Sequence, residues 1–363
     1  MLIAEFWYVD ASCAYFESDF TRALECARES RLSVDRLDHM HWSGMSNFIE
    51  QMARWHLGDH EASLAMLPTL IDTYERIGHN HVAFVLRWAF ALHLLTVDID
   101  AAEQQLLGVI AMLEQGRINF LLPWALCVHT MIAHAKGDLP ETSRLIEKCR
   151  AAQQQVGTIH AGGMLEQRSA SLARSLGGLN EAEQTIHRAI DMQHPNHYRA
   201  EVVAALEILV GILTTTRRMT DAARLVGATQ AERDRLAFRL RIPPEHEIYA
   251  ADLATVEQAL GAEAFAQAFA EGAAMSLDEA VAYAQRSRGR RGRPAYGWGS
   301  LTPTEQDVVA LIIEGFTNNE IAQRLLMSRE TVKTHLSHIY TKLHLRTRAQ
   351  LAALAATRAA RQS

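Results

Sequence analysis

Lysine is nearly absent from this 363-residue chain. Only Lys136, Lys148, Lys333 and Lys342 occur, and none follows a glycine. A phosphate-cradling loop of the form G-x-x-x-x-G-K-[ST] is therefore excluded, and with it nucleotide binding in that manner. Cysteine is almost as scarce. Cys13, Cys26, Cys127 and Cys149 include no C-x-x-C pair, so they predict reduced, partly buried thiols in a cytoplasmic protein instead of a disulfide framework. No apolar run reaches membrane-spanning length; Val202 to Leu213 comes closest, and Glu207 interrupts it. The opening Met1-Leu2-Ile3-Ala4-Glu5 lacks the basic stretch of a secretion signal. Enzyme signatures are missing too. His60-Glu61 and His246-Glu247 both fail the H-E-x-x-H zinc pattern, at Leu64 and Ala250, and there is no G-x-S-x-G elbow. The pairs His79/His81 and His194/His197 lack a supporting cysteine or carboxylate cluster and read as surface histidines. No catalytic residue, metal site, cofactor or membrane partner is expected.

What is present is divided unevenly. The net charge of -6 conceals a basic tail: residues 286–363 hold thirteen Arg and Lys against five Asp and Glu, for +8. The preceding 285 residues carry 23 basic and 37 acidic side chains, for -14. That asymmetry fits nucleic-acid contact at one end only.

The acidic part repeats itself. Asp19-Phe20-Thr21-Arg22-Ala23-Leu24, Asp59-His60-Glu61-Ala62, Asp98-Ile99-Asp100-Ala101, Asp138-Leu139-Pro140-Glu141, Gly178-Leu179-Asn180-Glu181 and Arg218-Met219-Thr220-Asp221 each open an amphipathic helix, at intervals of 40, 39, 40, 40 and 40 residues. Each is preceded by a second apolar helix, such as His79 to Val97, Phe120 to Lys136 or Arg199 to Thr215. A fixed period near forty with two helices per unit predicts a tetratricopeptide-like α-solenoid over residues 1–224. Such an array presents a concave surface. Trp42, Trp55, Trp88, Trp124, His93, His129 and His134 sit on its helices, either as interhelix packing or as a groove for a ligand or peptide. The chain opens directly at the first helix of a repeat, without a polar capping unit, which suggests a lost preceding domain or a partner packed there. Residues 225–285 continue as helices without the period, broken at Pro243-Pro244 and Leu260-Gly261. Residues 286–300, RSRGRRGRPAYGWGS, read as a flexible basic linker whose arginines suit DNA phosphates.

Residues 301–363 predict four short helices. Thr302-Pro303-Thr304-Glu305 combines a cap, a first-position proline and a capping-box glutamate; Gly315 suits a left-handed helix end. Thr317 with Glu320, Ser328, and Thr347 with Gln350 mark the next three starts. Only Leu326, Met327 and Ser328 separate the second helix from the third, a turn short enough for a helix-turn-helix. On the third helix Val332, Leu336, Ile339, Tyr340 and Leu343 form an apolar stripe expected to meet Val308, Leu311, Ile312, Ile321, Ala322 and Leu325. The opposite face carries Glu330, Lys333, Thr334, Ser337 and Thr341, donors and acceptors suited to base edges in a major groove. Arg329, Thr331, His335, Tyr340, Lys342, Arg346 and Arg348 suit phosphate contacts, which position without reading sequence.

Leu301-Thr302-x-x-Glu305, Gly315-x-Thr317-Asn318-x-Glu320-Ile321-Ala322, Ser328-x-x-Thr331-Val332-Lys333-x-His335-Leu336, Ile339-Tyr340-x-Lys342-Leu343 and Arg348 together resemble the LuxR-type helix-turn-helix domain. Met327 stands where that family prefers Ile, and Asn319 where it often has Lys. The resemblance implies base contacts from Lys333, Thr334 and Ser337, and dimer contacts from Leu351, Ala352, Leu354 and Ala355 on the fourth helix. With the forty-residue repeats, the chain resembles the helical and DNA-binding parts of the large MalT-like ATP-dependent regulators, without their nucleotide-binding domain. The expected protein is therefore all-α, a tetratricopeptide-like α-solenoid followed by a four-helix LuxR-type helix-turn-helix domain. Its expected role is a non-enzymatic transcriptional regulator binding double-stranded DNA as a homodimer, with RNA polymerase as a further partner. A small-molecule or protein inducer would act at the repeats. The alternatives are a helical-repeat scaffold derived from a larger ATP-dependent regulator, or a receptor that sequesters a partner regulator.

Overall fold

The computed structural model describes all residues except 1, 36–38, 116–119, 241, 287–300, 302, 314, 326, 328, 344, 346, 349, 352, 353 and 355–363. The chain divides into two units, Met1–Ser287 and Arg288–Ser363. Both are all-α, and no strand occurs among the described residues. Linker residues 287–300, and hence the expected arginine contacts of Arg288, Arg290, Arg291 and Arg293, lie outside the description.

The first unit is a stack of six helical hairpins: α1 (Leu2–Phe16) with α2 (Phe20–Asp35), α3 (Met40–Leu57) with α4 (His60–Arg76), α5 (Asn80–Leu94) with α6 (Ile99–Gln115), α7 (Leu122–Ala135) with α8 (Leu139–Val156), α9 (Ile159–Ser175) with α10 (Leu179–Gln193), and α11 (Arg199–Thr215) with α12 (Met219–Arg235). The second helix of each pair starts where the repeated turn places it. Asp19, Asp98 and Asp138 cap those starts, their carboxylates accepting from the backbone N–H of Arg22, Ala101 and Glu141. Asp59 does not; its carboxylate turns to Arg54 instead. One backbone device recurs at the hairpin bends. Ser18, Gly58, Gly137, Gly177 and Arg217 all have positive φ, between 61° and 81°. Each lies in a bend where the following N–H reaches the carbonyl five residues back, as in Asp138 N to Ala133 O at 3.0 Å and Gly178 N to Ala173 O at 2.8 Å. The third hairpin has Val97 at this position and turns without a left-handed residue, since a β-branched side chain resists that conformation.

After the sixth hairpin come α13 (Pro243–Leu260), α14 (Ala262–Ala273) and α15 (Leu277–Arg286). α12 runs through residue 224 without a break, and Val256, Ala268, Ala280, Val281 and Ala284 share one core with Leu206, Leu209, Ala222 and Val226. The crossing of α12 and α14 is close enough that a Cβ on Gly272 would stand 1.8 Å from the Arg224 carbonyl oxygen. Glycine is required there.

The array also closes on itself. The Ser18 hydroxyl accepts from Ala200 N–H at 3.0 Å, and the backbone N–H groups of Arg239 and Leu240 both donate to the His56 carbonyl at 2.9 Å. Phe20, Ala200, Val203, Leu236, Phe238 and Leu240 fill the seam. Most of the aromatics and histidines expected either to pack or to line a groove pack. Trp88 and His93 are buried, Trp55 Nε1 donates to Leu92 O at 2.9 Å, Trp124 Nε1 donates to His160 Nδ1 at 2.6 Å, and His129 faces Glu103 at 3.3 Å.

Candidate nucleic-acid interface

The second unit contains α16 (Pro303–Ile313), α17 (Asn318–Arg324) and α18 (Arg329–Leu343), and helical residues Arg348, Gln350, Leu351 and Leu354 follow. Gly315 ends α16 at φ 90°, with Phe316 N–H bonded to Leu311 O at 3.1 Å. Thr317 and Glu320 form a reciprocal capping box on α17, and the bonds from Thr317 hold the Glu320 carboxyl below its ordinary range. Thr347 and Gln350 bond reciprocally at 3.2 Å, the same signature at the next start. The expected caps Thr302 and Ser328 lie outside the described residues.

These starts orient α18. Its apolar face, Val332, Leu336, Ile339 and Leu343, is buried against Val308, Ile312, Ile321 and Ala322, with Leu311, Leu325, Met327 and Tyr340 packed at the edge. All the apolar partners named from sequence meet in this one core. Met327 fits the place where the family prefers Ile. The opposite face leaves Lys333, Thr334, Ser337 and Thr341 exposed, with Arg329 and Thr331 exposed at the helix start. His335 is half-buried. The Tyr340 ring is half-buried as well, and burial raises its hydroxyl above the ordinary phenol range. Glu330 is on the helix but its side chain, like Arg346, Ala352 and Ala355 altogether, lies outside the described residues.

Three residues read from sequence as surface contacts are used by the fold. Lys342 Nζ donates to Glu305 Oε2 at 2.6 Å, and Glu305 is only 2% exposed, so this charge ties α18 to α16. Arg348 donates to Asn318 Oδ1 at 3.1 Å and to the Phe316 carbonyl oxygen. It locks the loop between α16 and α17 instead of projecting toward phosphate. Leu351, expected at a dimer contact, is fully buried in the domain core. Leu354, one turn on, remains exposed. A further contact has no counterpart in the sequence pattern: the Arg324 guanidinium lies 3.7 Å from the Phe316 ring centroid. A cationic and an aromatic side chain eight residues apart, across a helix start, give no periodic signal.

A short-turn helix pair with one helix locked along its apolar face and polar along the other is the geometry of a groove-reading unit. Residues 299–355 match the family described as bacterial regulatory proteins of the LuxR type. The C-terminal unit is a LuxR-family helix-turn-helix domain. Its LuxR-type likeness extends to the transcriptional regulatory protein LiaR of Bacillus subtilis, 41% identical over 80 residues, 22% of this chain and 38% of LiaR. The nitrate/nitrite response regulator NarL of Escherichia coli is 36% identical over 80 residues, 22% of this chain and 37% of NarL. A longer match, 43% identical over 189 residues, links 52% of this chain to 21% of an HTH-type transcriptional regulator from Mycobacterium tuberculosis. The chain thus spans about a fifth of the length of those mycobacterial relatives. The helical repeats preceding the LuxR-type domain are consistent with a MalT-like architecture. Among the described residues no helix is long and apolar enough to cross a membrane, and no three His, Cys, Asp or Glu side chains gather to hold a metal ion.

Proposed function

We propose that this protein is a sequence-specific, non-enzymatic transcriptional regulator of the cytoplasm that binds double-stranded DNA as a homodimer and receives a ligand or protein signal at its helical repeats. One observation carries the DNA-binding reading: Lys333, Thr334 and Ser337 stand exposed along one side of α18 while its other side is buried in the domain core. Lys333 donates to guanine O6 and N7, Thr334 contacts a thymine methyl, and Ser337 and Glu330 complete the base-reading row. Arg329, Thr331, His335, Tyr340 and Arg346 hold phosphates on either side. Lys342 and Arg348, engaged inside the domain, support those contacts indirectly.

Dimerisation on DNA falls to Leu354, with Ala352 and Ala355, because Leu351 is committed to the core. Two such domains present two α18 helices to successive major grooves and read a two-part operator. The arginine-rich linker adds phosphate contacts beside them, and polymerase contact turns occupancy into regulation. The names of the relatives, two of them transcriptional regulators and one a response regulator, support this reading. A gel shift with random genomic fragments tests it: selective, salt-sensitive retention is expected, and equal retention of all fragments rejects it. Deleting Arg288 to Arg293 should lower the salt slope; an unchanged slope removes the linker from the interface.

A further inference from the structure

A cleft of about 600 Å³ opens where the bends of the second and third hairpins meet the segment that closes the array. Its walls include the apolar side chains Leu57, Leu64 and Val97, and its polar groups are His60, Glu61, Thr96 and Arg239. Val97 is 66% exposed at its hairpin bend, an apolar side chain open to solvent. The position of Arg239 is built. Its N–H and that of Leu240 both bond to the His56 carbonyl, and its Cβ packs closely on Gly58, 3.1 Å from where a Cβ added there would stand.

The tautomer of His60 follows from a three-member chain. His93 Nε2 is 3.0 Å from the Gln51 carbonyl oxygen, which can only accept, so the proton of His93 is on Nε2. Burial pushes His93 down to about 4, so at neutral pH its Nδ1 carries a lone pair. His60 Nδ1, 3.2 Å away, must then be the donor. Burial also lowers His60, so its remaining ring nitrogen, Nε2, is an acceptor. The cleft therefore combines a lone-pair acceptor and a carboxylate, Glu61, with a guanidinium whose Nη1 pairs with Asp234 at 2.7 Å and whose fork has further donors. Opposite charges and an acceptor beside three apolar side chains complement one chemical class.

We infer that this cleft binds a small zwitterion with apolar side chains, an apolar amino acid or a short apolar peptide. Its carboxylate meets Arg239, its ammonium meets Glu61 and His60 Nε2, and its side chains cover Leu57, Leu64 and Val97. The inference deepens the reading that the repeats receive a signal, and rests on it for its regulatory meaning.

Titration calorimetry on the full chain, with L-leucine and leucyl-leucine as probes, tests it. Saturable binding of at least one is expected, with tenfold or greater weakening for leucinamide, which lacks the carboxylate, and for 4-methylpentanoate, which lacks the ammonium. Arg239→Gln should erase the preference for leucine over leucinamide, and Glu61→Gln the preference over 4-methylpentanoate. Both side chains are on the surface, so these variants keep the fold; His60→Asn should weaken every probe. Absence of saturable heat, equal binding of the analogues, or parent-like binding by all three variants overturns the site. A gel shift on the same samples separates the two claims: DNA retention without leucine binding rejects this cleft alone, and leucine binding without DNA retention rejects the regulator reading.

Discussion

Glu305 and Lys342 lie thirty-seven residues apart and form a 2.6 Å ion pair that joins the first helix of the DNA-binding domain to the end of its reading helix. Glu305 is almost wholly buried and Lys342 only partly, so the pair is neither a surface ornament nor a fully desolvated bridge. Lys342→Met removes the ammonium that bonds a buried carboxylate. We expect a loss of about 2 kcal/mol in domain stability, measured by urea unfolding, with Glu305→Gln costing less because the amide still bonds. A double-mutant cycle with no coupling between the two would contradict the positioning role.

Leu351 and Leu354 separate folding from dimerisation. Leu351→Asp places a charge in the core and should unfold the domain, a loss of more than about 3 kcal/mol seen by circular dichroism. Leu354→Asp should leave the melting curve within about 0.5 kcal/mol of the parent while abolishing cooperative occupancy of a two-part operator. Retained dimers in Leu354→Asp, followed by analytical ultracentrifugation on DNA, would move the interface elsewhere.

Acid should loosen the repeat array. Burial lowers both His56 and His93 to about 4, below the ordinary imidazole value of 6.5. A histidine kept neutral in the fold binds its proton more readily when unfolded, so its contribution is complete above about 6.5 and shrinks as pH falls toward 4. Between pH 7 and pH 5 each should cost on the order of 2 kcal/mol. Urea midpoints of the array at the two pH values check this, and a pH-independent midpoint contradicts it. Replacing His56 by Gln, which titrates nowhere, should flatten part of the slope.

The hairpin bends offer a backbone test. Gly137 has φ 76° and open space around it, so Gly137→Ala meets no neighbour but strains the left-handed turn. A loss of about 1 kcal/mol is expected. Gly58→Ala adds pressure on Arg239 and should cost more, so equal losses would remove the close approach from the account.

Much of this fold is legible in the chain because its signals are local. The aspartates at 19, 98 and 138 cap helices just after hairpin bends, and left-handed residues stand at five of the six bends, both set by the forty-residue repeat. The apolar row from Val332 to Leu343 similarly names its own partners through helical periodicity. What escaped depends on distant chain. Nothing near Ser18 indicates that it will accept from Ala200, nor anything near His56 that its carbonyl will take the N–H groups of Arg239 and Leu240. Lys342 and Arg348 look like surface cations at helix ends until Glu305 and the Phe316 carbonyl arrive from thirty or more residues away. Leu351 and Leu354 are both leucines three positions apart, and only the fold decides which is covered.

Base reading by α18 turns on Lys333. The most direct measurement compares Lys333→Ala with Arg329→Ala across every single-base variant of an operator selected by the parent protein. Lys333→Ala should cost about 1–3 kcal/mol on the parent site and lose discrimination at one base pair, whereas Arg329→Ala weakens all sites alike. Unchanged discrimination at every position in Lys333→Ala would contradict it.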